Sequence, residues 1–228
     1  RSKYKNVQMA MTTWRDYMVS MGMGYKLGIA LPGEKRGLIP NANFYDKAYN
    51  GSWNGLTVIS IAIGQGEVTE TPLQIANLCA TIANRGCYYT PHVVRRVKGE
   101  SLDTLYSHRH CRKVAARNYN VVVAGMRDAV IHGTCRAANR PDYLVCGKTG
   151  TAQNRGQDHS VFMGFAPMIK PRIAVAVYVE NGGHGAVYGV PIGSLIMEQF
   201  INGKLSERSM KEAEMFQNKH IAYGSGNR

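Results

Sequence analysis

Residues 143–180 read YLVCGKTGTAQNRGQDHSVFMGFAPMIKPRIAVAVYVE, and the rhythm of this stretch decides the fold class. Tyr143 to Ala152, Ser160 to Ala166 and Arg172 to Glu180 are strand-like runs separated by polar or proline-containing turns. Three such runs with short connections predict an antiparallel meander. Just beyond it a helix is predicted to open near Gly189, with Pro191 in its first turn, and to close at Gly203. Ile192, Leu195, Ile196 and Phe200 are expected to face the sheet.

Upstream, the spacing predicts a helix from about Asn118 to His132 that buries Val122, Met126 and Val130. Tyr88 to Val97 reads as extended, and the polar segment from there to Ala116 as a surface excursion. Thr71-Pro72-Leu73-Gln74 is a capping box with proline at the first helical position. It starts a helix that should carry Leu73, Ile75, Leu78 and Ile82 inward until Gly86 ends it. Leu56 to Ile63 is a short apolar run meeting a tight bend at Gly64-Gln65-Gly66. Leu27 to Pro40 is turn-rich, with a short strand expected on each side of Pro32-Gly33. Val7, Met11, Trp14, Met18 and Met21 recur at helical spacing, and Gly22 and Gly24 close that helix. From Lys204 onward the chain is polar and ends in a Gly-Ser-Gly segment, a helix or a loosely attached tail.

The chain has 228 residues, 44% hydrophobic and 19% charged, enough for a sizeable core. It opens on Arg1 without a charged-then-apolar leader, which implies a piece of a longer product. Its longest apolar runs, Val58 to Ile63 and Ile173 to Val179, are far too short to span a bilayer. A formal charge of +13 suits nucleic acid, an anionic membrane or an acidic polymer. The basic residues are scattered, however, and no nucleic-acid recognition element accompanies them, so nucleic acid is not expected as a partner. The five cysteines show no metal-ligand spacing, and a disulfide framework is not expected. His108, His110 and Cys111 lie in a basic stretch that would repel a cation and read as exposed loop. No metal and no cofactor are expected.

Chemistry is concentrated at Lys148-Thr149-Gly150-Thr151. At the end of a strand, Lys148 offers a fixed positive charge to a carboxylate, and the Thr149 and Thr151 hydroxyls can bind the same group. Gly150 has no side chain, so an extended peptide could pair along the strand, and the Thr151 N–H could donate to a developing oxyanion. His159 invites a general-base role. Cys146 lacks a paired histidine in sequence and reads as packing. Gln65 and Glu67 read as turn and support residues.

Together with its flanks, this box resembles the third motif of the penicillin-binding proteins. LPGE at residues 31–34 with the IP at 39–40, IGQGEVTETPLQIA at 63–76, DHSVFMGFAP at 158–167 and VENGGHG at 179–185 with the proline helix after it resemble that family too. The combination looks like the class B, elongation-type transpeptidases, and covers nearly all of residues 7 to 203. The resemblance implies an α+β fold, an antiparallel sheet packed between helices as in the penicillin-binding proteins and serine β-lactamases, here incomplete. Residues 1–203 would be the C-terminal portion of the transpeptidase domain and residues 204–228 a polar tail. It further implies peptidoglycan D,D-transpeptidation by a serine acyl-enzyme in cell-wall and cell-shape synthesis, with peptidoglycan stem peptides and β-lactams as ligands and a glycan polymerase of the rod-shape machinery as partner. The expected location is the periplasmic side of the inner membrane, with the anchor outside this chain.

Residue by residue, the resemblance assigns Lys148, Thr149 and Gly150 to the box and Thr151 to the backbone of the oxyanion hole. It marks Asp158-His159-Ser160 as a positioning element without proton transfer. Ser2-Lys3-Tyr4-Lys5 and Ser52-Trp53-Asn54 match the letters of the family's nucleophile and relay motifs, but Ser52 follows the LPGE stretch it should precede, and Arg1, Lys3 and Tyr4 give Ser2 a solvated setting. The nucleophile is therefore expected upstream, and these residues alone are expected to be inactive. A β-lactam-hydrolysing or β-lactam-sensing relative, and a non-catalytic cell-wall-binding module, are the competing readings.

Overall fold

A computed structural model describes residues 3–101, 103–111 and 114–221. The chain divides into two compact units. One runs to Leu78 and takes up Gly86–Ala115 as well; the other joins Cys79–Arg85 to the residues from Ala116 onward.

In the first unit, α1 (Val7–Ser20) is capped by Asn6, whose side chain accepts from the Met9 N–H at 2.8 Å. Gly22 then turns the chain at φ +86°, and a Cβ there would come within 2.6 Å of Asn77 Nδ2. A second helix, α2 (Ala42–Ala48), is started by the Asn41 side chain accepting from Phe44 N–H at 2.8 Å. Met11, Tyr45, Trp53 and Ile61 form the buried cluster between these elements. The polar ends of its two large rings are satisfied, Tyr45 Oη donating to Glu67 at 2.7 Å and Trp53 Nε1 to Asp46 at 2.6 Å.

No strand forms within Leu27 to Pro40; only an isolated bridge joins Leu38 to Thr69. The Glu34 carboxylate draws that loop in by accepting from Leu27, Gly28 and Ile29 N–H at 2.5, 3.1 and 3.3 Å, which takes the donors a strand would need. The apolar run before Gly64 becomes a 3-10 turn, Ile59–Ile63, and Gly64 and Gly66 supply the bend at φ +73° and +70°.

The helix α3 (Pro72–Ala83) begins at the capping box, with Thr71 N–H donating to Gln74 Oε1 at 2.8 Å and Gln74 N–H to Thr71 Oγ1 at 3.2 Å. Its buried face differs from the expected one. Gln74 and Asn77 are buried, whereas Leu73, Ile75 and Leu78 are only partly so. The reason is hydrogen bonding, since Gln74 Nε2 donates to Tyr25 O at 2.5 Å and Asn77 Nδ2 to Met21 O at 3.3 Å.

The cysteines also depart from expectation. β1 (Cys87–Tyr89) pairs antiparallel with β2 (Arg109–Cys111) across a short helix, α4 (Thr104–Ser107), and the register sets Cys87 opposite Cys111 in a disulfide with Cα atoms 4.2 Å apart. An odd cysteine count and a 24-residue separation conceal such a pairing in the sequence. By loop-closure entropy, Cys87→Ser in the intact protein should lower the stability of this unit by about 3–4 kcal/mol, measurable by denaturant titration. Cys79, Cys135 and Cys146 are free and buried, as small packing residues.

The second unit holds the meander. β3 (Cys146–Ala152), β4 (His159–Ala166) and β5 (Ile173–Val179) pair antiparallel in that order. Pairing Thr149 with Phe162 and Phe162 with Val177 puts all three on one sheet face. On that face lies a core of Phe162, Val175, Val177, Val145, Val130, Val190 and Met197. Two helices contribute to it, α5 (Ala116–Ile131) before the meander and α6 (Gly189–Asn202) after it. Cys79, fully buried, lies against the backbone of Val175, and burial pushes its thiol well above its ordinary range.

Two helix faces are rotated from expectation. In α5 the buried residues are Tyr119, Val123, Met126 and Val130, and Val122 is exposed. In α6 they include Val190, Gly193, Ser194, Met197 and Glu198, while Ile196 and Phe200 face outward. Gly193 decides the second case, because a Cβ there would meet Phe162 Cδ1 at 2.5 Å. The helix approaches the strand through its glycine side.

Beyond Gly203 the polar segment forms α7 (Glu207–Gln217), capped by Ser206. It is docked. Glu198, 3% exposed, accepts from Arg140 Nε at 2.8 Å, Ser206 N–H at 2.8 Å and Ser209 Oγ at 2.6 Å. Among the described residues no helix is long and apolar enough to cross a membrane.

Candidate active site

Lys148, Thr149, Gly150 and Thr151 stand in consecutive register opposite Met163, Phe162, Val161 and Ser160 of β4. Alternation along a strand places Thr149 and Thr151 on the Phe162 face and Lys148 and Gly150 on the other. On its far side β3 has no strand partner among the described residues, so the four-residue box lies on an open sheet edge. Lys148 is exposed and its Nζ donates to Thr149 O at 2.8 Å. Two glycines of the strand fit tight places: a Cβ on Gly147 would enter the Phe162 ring at 2.6 Å, and one on Gly150 would press Val161 Cβ at 3.3 Å.

Three successive residues of the β3–β4 loop and β4 hold down the loop that follows β5. Asp158 O accepts from Gly183 N–H at 2.8 Å, and His159 Nδ1 accepts from Asn181 N–H at 3.0 Å. Buried Ser160 donates through Oγ to His184 O at 2.9 Å and accepts from Gly189 N–H at 3.0 Å. The loop lies across the threonine face, where a Cβ on Gly185 would be 2.6 Å from Gly150 O and 3.0 Å from Thr149 Cβ. His159 therefore spends Nδ1 on the backbone and stacks toward Tyr178, with ring centres 5.2 Å apart. This is a positioning geometry.

Thr149 has one further neighbour that the sequence reading passed over, Thr134, whose Oγ1 is 2.7 Å from Thr149 Oγ1. Only the fold brings this turn to the strand; no motif marks it. Beneath it, burial pushes the Cys135 thiol up despite contacts with the Thr134 side chain, the Thr149 backbone and the Lys148 charge. Burial also pushes Cys146 up, to about 11, away from the thiolate form that a nucleophile needs.

The other candidates have local roles. Trp53 is buried, Asn54 Oδ1 accepts from Leu56 N–H at 2.8 Å and Ser52 N–H donates to Tyr49 O at 2.9 Å, so Ser52-Trp53-Asn54 is an irregular link between two turns. Ser2 lies outside the described residues. Glu67 supports Tyr45, and His110 stacks on Tyr88 with ring centres 4.9 Å apart. Among the described residues no three His, Cys, Asp or Glu side chains cluster as metal ligands.

The second unit is thus an α+β body that offers a Lys-Thr-Gly-Thr strand on an open sheet edge, with a glycine loop across its threonine face. The chain belongs to the penicillin binding protein transpeptidase domain family, which matches residues 3–198. Within that family its likeness is to the elongation-type penicillin-binding protein 2. It is similar to the peptidoglycan D,D-transpeptidase MrdA of Acinetobacter baumannii, with 37% identity over 198 residues that cover 78% of this chain and 29% of the relative. A crystal structure of Pseudomonas aeruginosa penicillin-binding protein 2 in complex with WCK 5153 superposes with a TM-score of 0.75 and 34% identity, over 88% of this chain and 45% of that one. A structure described as showing coordination of polymerization and crosslinking by a peptidoglycan synthase complex also matches, with a TM-score of 0.75 and 30% identity over 87% of this chain and 34% of that one. The chain thus spans about a third of the length of the curated relatives it matches, 29% and 36% of two of them.

Proposed function

We propose that this chain is the substrate-gripping portion of a peptidoglycan D,D-transpeptidase. The observation that carries the reading is the open edge of β3 with Lys148, Thr149, Gly150 and Thr151 in sequence along it. A stem peptide ending in D-alanyl-D-alanine would add to this edge as an extended strand. The Thr149 and Thr151 hydroxyls would hold its terminal carboxylate, Lys148 on the other face of the strand would add positive charge beside it, and the Thr151 N–H would donate to the oxyanion of the tetrahedral intermediate.

A serine hydroxyl from outside these residues would attack the penultimate D-alanine carbonyl and form an ester, while terminal D-alanine leaves with the proton. An amine of a second stem peptide would then displace the serine and create the cross-link. A β-lactam would enter the same route and stop at the ester. In this reading residues 1–203 are part of the transpeptidase domain and 204–228 an appended segment, with Glu198 fastening α7 to it. The reading extends to the periplasmic side of the inner membrane and to a rod-shape glycan polymerase as partner, in line with the likeness to one chain of a peptidoglycan synthase complex.

The test is acylation of the full-length protein by a fluorescent penicillin. Stable labelling at a serine is expected, and Lys148→Ala should slow it at least tenfold, the loss of one charge-assisted contact. The 228-residue chain alone should remain unlabelled. Rapid turnover of the penicillin would instead favour a β-lactam hydrolase, and binding to peptidoglycan without acylation a non-catalytic module.

A further inference from the structure

We propose that Thr134 is a positioning residue that fixes the Thr149 hydroxyl as a donor toward a ligand carboxylate. The inference rests on the reading of the β3 edge given above and adds a residue from a different part of the chain.

The two hydroxyl oxygens are 2.7 Å apart across 15 residues of sequence. Thr134 is held on both sides by its neighbours in the turn after α5. A Cβ on Gly133 would strike Ala129 Cα at 2.8 Å, so the turn sits directly on the end of the helix. Cys135 N–H donates to Ala129 O at 2.9 Å, and its side chain is fully buried in the main core. Thr134 itself is exposed. The backbone around it is fixed by buried contacts, while its hydroxyl stays at the surface beside the site.

A threonine hydroxyl carries one proton and two lone pairs. If Thr149 gave its proton to Thr134, it would present only lone pairs to an incoming anion. With Thr134 as donor, the Thr149 proton is free to point toward the carboxylate. The Cys135 thiol beneath also reaches the Thr134 side chain, and burial pushes that thiol up, away from the thiolate that would accept most strongly. Thr134 thus sets the polarity of Thr149, which itself would touch the ligand.

The experiment compares Thr134→Val and Thr134→Ser in the full-length protein. Acylation by a fluorescent penicillin is resolved into apparent affinity and acylation rate constant, and repeated with a penicillin whose carboxyl is a methyl ester. Thr134→Val should weaken apparent affinity for the acid about fivefold to tenfold, one hydrogen bond's worth, and leave the ester within about twofold of wild type. Thr134→Ser should restore the acid to near wild type. In a Thr149→Val background, Thr134→Val should add no further loss. Because the pair is exposed, the melting temperature should stay unchanged in every variant. Unchanged affinity of Thr134→Val for the acid, or equal losses on acid and ester, would overturn the proposal. A wild-type protein that no penicillin acylates would overturn the transpeptidase reading and this proposal with it.

Discussion

Glu198→Ala is expected to lower the unfolding free energy by about 3–5 kcal/mol, the usual cost of removing one partner from a buried ion pair. Glu198 is 3% exposed and the Arg140 side chain 10%, so the orphaned guanidinium would remain in a dry site. Two more donors, Ser206 N–H and Ser209 Oγ, lose their acceptor at the same time, and these carry the cap of α7. The contribution depends on pH with a definite sign. Burial alone would push the carboxyl up, but the hydrogen bonds from Ser209 and Ser206 and the Arg140 charge outweigh it and bring it from 4.5 down to about 2. A folded-state value below the unfolded one means that the stabilisation is complete above about pH 5 and is lost as pH falls from 4.5 through about 2. Urea titrations at pH 7 and pH 3 should therefore show a smaller gap between wild type and Glu198→Ala at the lower pH. A constant gap would assign the effect to packing alone.

Gly185→Ala is expected to slow penicillin acylation of the full-length protein about 100-fold while leaving it folded. The added Cβ would fall on the Val161 carbonyl oxygen and within 2.6 Å of Gly150 O and 3.0 Å of Thr149 Cβ. None of these can rotate away, since two are backbone atoms of paired strands. Either the loop lifts, which breaks the Ser160 Oγ and Asp158 O hydrogen bonds to it, or β3 shifts and carries the box with it. Overpacking of this kind costs about 1–3 kcal/mol in stability, within what a domain tolerates, whereas a displacement near 1 Å at a reacting geometry is far more damaging to rate. Acylation kinetics together with a thermal melt would separate the two effects; a variant that melts normally and acylates at the wild-type rate would exclude a role for this contact.

Where the chain's own chemistry is local, the sequence was readable. The Thr71-to-Gln74 box forms the reciprocal hydrogen bonds its letters suggest, and the three strands occur as an antiparallel meander. Such features depend on neighbours a few residues away. The errors arise where a distant partner decides. Ile196 and Phe200 looked like the inner face of α6, yet Gly189 and Gly193 make the contact because Phe162 fills the space that side chains would need. Leu73, Ile75 and Leu78 looked like the inner face of α3, yet Gln74 and Asn77 are buried because carbonyls of the turn after α1 capture them. Cys87 and Cys111 meet only because β1 and β2 pair. At the site, the Lys-Thr-Gly-Thr letters located the strand and VENGGHG flagged the segment of Gly185, but no signal marks Thr134, and both residues reach the strand only through the fold.

Among the described residues β3 has no strand partner on its far side, and that edge is also a place for self-association. A strand edge without a neighbouring strand is a template for any second strand, including the same strand of another copy. Lys148 stands in the third position of that seven-residue edge, exposed and charged. Two copies pairing edge to edge would bring like charges together in a region losing its water. The lysine proposed to attract a carboxylate would thus also act as a gatekeeper against aggregation, and a neutral residue there would put solubility at risk as well as ligand binding.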